Sequence, residues 1–159
     1  VMAPHDPYVF GPDGEEVNYK YTFGPTGTVY LDPSEEKTAY INQLIYLTKT
    51  LRGVIENLQE NSENQPIIII QSDTGPSTKF GETMNEMHKV DRMSILNAYY
   101  FPNGKYDLLS DDVTPVNSFR IVFDSHFETN YGLVDDRVFY STYEKPYELI
   151  EMNELLILN

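Results

Sequence analysis

Four consecutive isoleucines, Ile67 to Ile70, stand behind Gln65-Pro66 and run into Gln71-Ser72-Asp73-Thr74-Gly75-Pro76. Successive side chains of a strand point to opposite faces, so an unbroken β-branched run predicts a strand buried on both faces, as inside a parallel α/β sheet. Upstream the period changes. Ile41, Leu44, Leu47 or Thr48, Leu51, Val54 or Ile55, and Leu58 recur every three to four residues, which predicts a helix laying one stripe on a sheet. Asp32-Pro33-Ser34-Glu35 supplies its start, with an N-cap, a first-turn proline and a capping-box glutamate. The helix is expected over residues 33 to 60, and a polar loop then leads into the isoleucine strand.

Downstream, residues 76 to 93 are polar with Gly81 and three methionines, and read as a loop at the site edge with some helix from Met87 to Met93. Ile95 to Phe101 reads as a second inner strand ended by Pro102-Asn103-Gly104. Thr114-Pro115 opens a helix through Phe127 whose apolar side is Val116, Phe119, Val122 or Phe123, and Phe127. Val138 to Thr142 and Tyr147 to Met152 read as later strands, and residues 154 to 159 as an edge strand or a stub. Residues 1 to 31 carry Gly-Pro-Asp-Gly at 11 to 14 and Gly-Pro-Thr-Gly at 24 to 27, and read mostly as loop. No repeat, low-complexity tract or domain boundary interrupts the pattern, so one α/β domain is expected over residues 1 to 159.

Composition narrows the partners. Twenty-five acidic against eleven basic residues give a formal charge of −14, which repels nucleic acid and anionic lipid surfaces. The absence of cysteine excludes disulfides and thiolate metal sites. No run approaches the roughly 18 apolar residues of a membrane span, so attachment to a membrane is expected only through segments outside this chain. Val1 in place of an initiating Met suggests a piece cut from something longer.

Asp73 lies just past the isoleucine run, at the carboxyl edge where loops of an open α/β sheet carry chemistry. His5, in Pro4-His5-Asp6-Pro7, is expected to project from a stiff extended segment, where an imidazole can bind an anion or shuttle a proton; taken alone it reads first as a surface-loop histidine. His88 and His126 are candidate downstream metal ligands, or else solvated or packing residues. Asp111-Asp112 and Asp135-Asp136 offer paired carboxylates for calcium, but neighbours point apart and lack EF-hand spacing, so they read as turn acids. Ser72, Thr74, Ser77 and Thr78 flank Asp73 without an adjacent histidine base. The thirteen tyrosines could line a sugar cleft, and more commonly fill half-buried positions with the hydroxyl reaching water.

His5-Asp6-Pro7-Tyr8 near the start, Tyr40-Ile41-Asn42-Gln43 in the long helix, the strand ending Ser72-Asp73-Thr74-Gly75, and the segments Ile95-Leu96-Asn97-Ala98-Tyr99-Tyr100-Phe101-Pro102 and Pro115-Val116-Asn117-Ser118-Phe119-Arg120 together resemble the C-terminal half of a sulfatase-like domain. This is the alkaline phosphatase superfamily, in the branch of lipoteichoic acid synthases and phosphoglycerol or phosphoethanolamine transferases. The resemblance covers most of the chain. It implies a partial α/β domain, its sheet mainly parallel and flanked by helices. It also implies metal-assisted attack on a phosphate or sulfate ester by a Thr, Ser or modified Cys nucleophile. Asp73 falls on the metal-binding aspartate and His5 on the histidine that contacts the transferred group. Thr74 stands at the metal position where the family carries His, and a neutral hydroxyl is a weaker ligand than imidazole.

The nucleophile and an early acidic ligand belong to the N-terminal half of the family domain, which these residues do not contain. The implied cofactor is a divalent metal (Zn, Mn or Ca) in the full-length protein, with none expected in this chain alone. The implied partners are the missing N-terminal half and an anionic ester of an envelope glycan or lipid, at the extracytoplasmic face of a membrane. The rival expectation is a non-catalytic remnant serving as a binding or structural domain of an envelope protein. Whether the full-length protein is an enzyme depends on the sequence upstream.

Overall fold

In a computed structural model that describes residues 4–23, 29–76, 86–142 and 144–154, the chain gathers into two compact units. Unit 1 is Val1–Gln65 with Thr78–Thr83, and unit 2 is Pro66–Ser77 with Met84–Asn159.

Unit 1 is built on the predicted long helix, α1 (Pro33–Asn61), preceded by a short antiparallel pair of β1 (Thr22–Phe23) and β2 (Val29–Tyr30). Pro33 opens the helix and the Asp32 carboxylate accepts from the Ser34 amide at 2.9 Å, satisfying one of the orphan donors of the first turn. Most of the described residues from 4 to 23 have no ladder, so their backbone polar groups need other partners. Gln43, 2 % exposed, provides them. Its Oε1 accepts from Val9 N at 2.9 Å and its Nε2 donates to His5 O at 3.0 Å. Tyr8, Leu31 and Ala39 form the core beneath, flanked by Tyr19, Tyr21 and Tyr40. Gly14 sits at φ +87°, and a Cβ there would stand 2.5 Å from the Tyr46 ring, so the turn at 11–14 needs glycine for both conformation and space.

Unit 2 contains β3 (Ile68–Gln71), α2 (Glu86–Met93), β4 (Asn97–Tyr100), α3 (Pro115–His126), β5 (Phe139–Tyr140) and β6 (Ile150–Glu151). Strand β3 pairs antiparallel with β4, from Ile68 opposite Tyr100 to Gln71 opposite Asn97, and β5 pairs antiparallel with β6. Mixed helix and strand make the chain α/β in the broad sense, but each sheet among the described residues is two-stranded and antiparallel. Ile67 to Ile70 are half-buried where the sequence predicts burial on both faces. Ile67 and Ile69 share one side of the strand and reach the core of Phe101, Ile121 and Val122, as the period of two requires.

Helix α3 presents the opposite face from the one its apolar pattern predicts. Asn117, Ser118, Ile121 and Val122 are buried, while Val116, Phe119, Phe123 and Phe127 are exposed. Residues 129–138 carry no regular structure, and Asn117 serves their backbone as a strand neighbour would. Its Nδ2 donates to Val134 O and to Asp136 Oδ2, both at 2.8 Å, and its Oδ1 accepts from Val134 N at 3.0 Å. Ser118 completes the inward face, bonded to the Tyr99 hydroxyl at 2.6 Å and accepting from Gln71 Nε2 at 2.8 Å. Asn117 and Ser118 are fully buried, and buried side-chain polar groups left unpaired are costly, so these partners favour the inward facing of Asn117 and Ser118 over that of the phenylalanines.

Replacing Asn117 by Leu should therefore lower unfolding free energy by about 3 kcal/mol, since both polar groups of Val134 lose their partner. Leu96→Ala at an exposed position should stay within about 0.5 kcal/mol. Urea midpoints that move equally for the two variants would refute this account of the helix orientation.

Candidate functional site

Where β3 ends, the side chain of Ser72 prolongs its ladder. Ser72 N donates to Leu96 O and Leu96 N donates to Ser72 Oγ, each at 2.9 Å. Three residues on, Gly75 N donates to Arg92 O at 2.8 Å. The chain here passes so close to the end of α2 that a Cβ on Gly75 would collide with the Asp91 carbonyl oxygen and stand 2.6 Å from that of Ser94. Glycine in Ser-Asp-Thr-Gly is thus a requirement of close backbone approach. Asp73 and Thr74 lie between these two anchors.

Both residues line a cavity of about 790 Å³ contained within unit 2, a volume in the range of small-molecule sites. Its walls include Arg92 at the end of α2, Asn97 and Tyr99 of β4, Ser110 to Thr114 ahead of α3, and Asp136. Hydrogen bonds hold those walls in place. Asn97 Oδ1 accepts from Gln71 Nε2 and its Nδ2 donates to Val113 O, both at 2.9 Å. Asp136 accepts from Thr114 N at 3.0 Å, from the Thr114 hydroxyl, and from Asn117. Asp136 is therefore a structural anchor in an irregular segment where a turn acid was expected. Among the described residues four aspartates (73, 111, 112 and 136) face the cavity against one guanidinium, Arg92, so the enclosed potential favours cations and hydrogen-bond donors.

Of the residues singled out from sequence, Asp73 and Thr74 come together on this wall. His5 belongs to unit 1. Residues 4–7 form turns and bends where an extended segment was expected, because Gln43 holds the His5 carbonyl to α1. The His5 side chain is largely exposed, with Nδ1 at 3.0 Å from Asp6 Oδ1. Asp111 and Asp112 are exposed turn residues. Ser77, Thr78 and the side chain of His88 lie outside the described residues, as do residues 155–159.

His126 is not on the cavity wall. Its ring packs edge-on against Phe101, with centroids 4.7 Å apart, and its Nδ1 stands 3.1 Å from Asn103 Nδ2. Nε2 is buried without a hydrogen-bond partner among the described residues. Loss of hydration, and then the charge of Lys105, hold its pKa below the usual imidazole value. The carbonyls of the last turn of α3 favour imidazolium, but they do not outweigh burial. This is the packing histidine of the two sequence readings. Arg92, Asn97 and Tyr99 were not legible as cavity residues, since nothing in their local pattern separates them from ordinary helix and strand positions.

Among the described residues no three His, Cys, Asp or Glu side chains converge where they could hold a metal ion. Asp73 with Thr74 offers one hard oxygen ligand and a neutral hydroxyl, which is not a metal site by itself. Among the described residues no helix is long and apolar enough to cross a membrane. Compared with protein-family models, curated proteins and solved structures, the chain matches none.

Gly75→Ala should destabilise unit 2 by about 1 to 3 kcal/mol, because the added methyl meets backbone carbonyls and not a flexible side chain. An unchanged unfolding midpoint would contradict the close approach. His126 gives a pH dependence of known sign. Its folded-state pKa lies below its unfolded value, so the unfolded chain binds the extra proton first and stability falls as pH drops below about 6.5. His126→Gln should flatten that slope in chemical denaturation at stepped pH, and an identical slope in the variant would exclude His126 as its source.

Proposed function

We propose that residues 1–159 are the carboxyl-terminal part of a sulfatase-like hydrolase or transferase domain acting on phosphate or sulfate esters of envelope glycans or lipids, inactive without its N-terminal half. The observation that carries this reading is the position of Asp73 and Thr74, paired on the wall of a cavity of about 790 Å³ directly past β3. That is where the resemblance puts a metal-binding aspartate and its neighbouring ligand. In this reading strands from the N-terminal half extend the β3–β4 pair into a mainly parallel sheet flanked by helices. That half also supplies the nucleophile and the remaining metal ligands. The full-length protein works at the extracytoplasmic face of a membrane, anchored by segments outside these residues.

A divalent zinc, manganese or calcium ion in such a domain activates the nucleophile and neutralises charge on the transferred group. This chain's own contributions are simpler. Asp73 offers one carboxylate. Arg92, the single guanidinium on the wall, presents paired donors suited to ester oxygens. The role of contacting the transferred group is assigned to His5 by the resemblance alone. The aspartates on the same wall repel a bare anionic ester, so Arg92 and a cation held at Asp73 are both needed to admit one.

Thr74 favours a second reading. A neutral hydroxyl in place of imidazole weakens the metal site, as expected of a non-catalytic remnant kept for binding or structure. Calorimetric titration with zinc and manganese, beside assays with nitrophenyl phosphate and nitrophenyl sulfate, separates the possibilities. The 159-residue chain should bind neither metal tightly and should show no turnover, and Thr74→His should raise zinc affinity slightly without creating activity. In the full-length protein the same change should raise both affinity and turnover; affinity without turnover would favour the remnant. Micromolar or tighter binding by the unaltered chain, or turnover abolished by Asp73→Ala, would overturn the division of the site between two halves.

A further inference from the structure

Helix α3 is apolar on two sides, and only one is used. Ile121 and Val122 are buried in unit 2. On the other side Phe119, Phe123 and Phe127 stand 64 %, 41 % and 59 % exposed, and Tyr131 beyond the helix is 63 % exposed. The rings touch in sequence, with centroids 6.5 Å apart from Phe119 to Phe123, 5.7 Å from Phe123 to Phe127, and 6.0 Å from Phe123 to Tyr131. At ~200 Å² per aromatic side chain this is on the order of 500 Å² of open apolar surface, as large as the largest patch of an ordinary monomer. Nearby polar groups are already occupied. Asp124 accepts from the Thr129 hydroxyl, Tyr131 N and Gly132 N, and Arg120 donates to the carbonyls of Tyr131 and Gly132.

We propose that this ladder is a two-fold interface between two copies of the chain, α3 packed antiparallel on α3 about an axis through Phe123. The register argues for a second copy over any other occupant. Phe119 and Phe127 are each four residues, ~6 Å along the axis, from Phe123. Antiparallel pairing on Phe123 lays each Phe119 on the partner's Phe127 and Phe123 on itself, so every helix ring meets a ring. Arg120 then falls opposite the carboxyl end of the partner's α3, where the helix dipole favours a cation, at each end of the contact. The patch supplies the apolar centre of an interface, which in a stable dimer buries ~800 Å² per partner. Against it stands the net charge of −14 on each copy, so association should strengthen as salt screens the repulsion.

The chain has no cysteine, which makes the register directly testable. Sedimentation of the 159-residue chain should show a reversible dimer that tightens several-fold between low salt and about 0.5 M salt. The double change Phe119→Ser with Phe123→Ser should weaken it at least tenfold while circular dichroism stays unchanged. Phe123→Cys with oxidised glutathione should cross-link to itself, whereas Phe119→Cys should cross-link only in the double variant with Phe127→Cys. A chain that stays monomeric at every salt and concentration would overturn the proposal and leave the ladder to another polypeptide. A dimer indifferent to the serine changes, or one in which Phe119→Cys links to itself as readily as Phe123→Cys, would overturn it equally, and the single cysteine variants decide the matter even if the double serine variant fails to fold.

Discussion

A buried side-chain amide does in this protein what a neighbouring strand does in most. Asn117 offers Val134 both a donor and an acceptor and gives its second proton to Asp136, so one side chain on α3 holds a segment that has no ladder. Gln43 repeats the arrangement in unit 1, joining His5 O and Val9 N to α1 across more than thirty residues of sequence. The constraint behind both is the same. Among the described residues the sheets are two-stranded, and long irregular segments must still satisfy their backbone groups. Side chains that carry donor and acceptor together can do this alone, the amides of Asn117 and Gln43 here and likewise the hydroxyls of Tyr21 and Tyr106, which serve both backbone groups of Tyr8 and Phe101.

The cavity depends on that network. Asn97 ties β4 to the segment before α3 through Val113, and Asp136 ties the start of α3 to the irregular segment through Thr114 and Asn117. The same bonds hold Asp136 on the cavity wall, which Asp73, Asp111 and Asp112 also line, and the four carboxylates make the cavity acidic. Gly75 sets its last wall by letting the Asp73 loop pass beneath α2. Chemistry and scaffold are therefore not separable here, and any change that loosens an amide alters the placement of the carboxylates.

Turning Asn117 inward also has a consequence for the surface. A helix cannot bury Asn117, Ser118, Ile121 and Val122 and also Phe119, Phe123 and Phe127 against the same neighbours, because the two sets lie on different sides of its axis. The aromatic ladder is left open by the polar bonds on the buried side. In a chain this acidic, an open apolar face is the surface least opposed to association.

Local signals in the sequence were enough for the elements. Asp32-Pro33, the three-to-four period and the polar stretch after it delimit α1 almost to the residue, and Pro115 opens α3, because caps and periods act within a few residues. The end of the isoleucine run likewise marked Asp73 and Thr74 as loop residues past a strand. Pairing direction, burial and facing were not legible. Four isoleucines suit an inner strand of a parallel sheet, yet β3 lies antiparallel to β4 and is half-buried, since which strand comes alongside is decided by segments far away in sequence. An apolar count turns the phenylalanines of α3 inward, yet the inward face is Asn117 and Ser118, bonded to Val134, Asp136, Tyr99 and Gln71. The remaining cavity walls, Arg92, Asn97 and Asp136, come from distant parts of the chain. Only the folded arrangement of those parts brings them to the end of β3, because hydrogen bonds to particular partners depend on positions in space that no local pattern encodes.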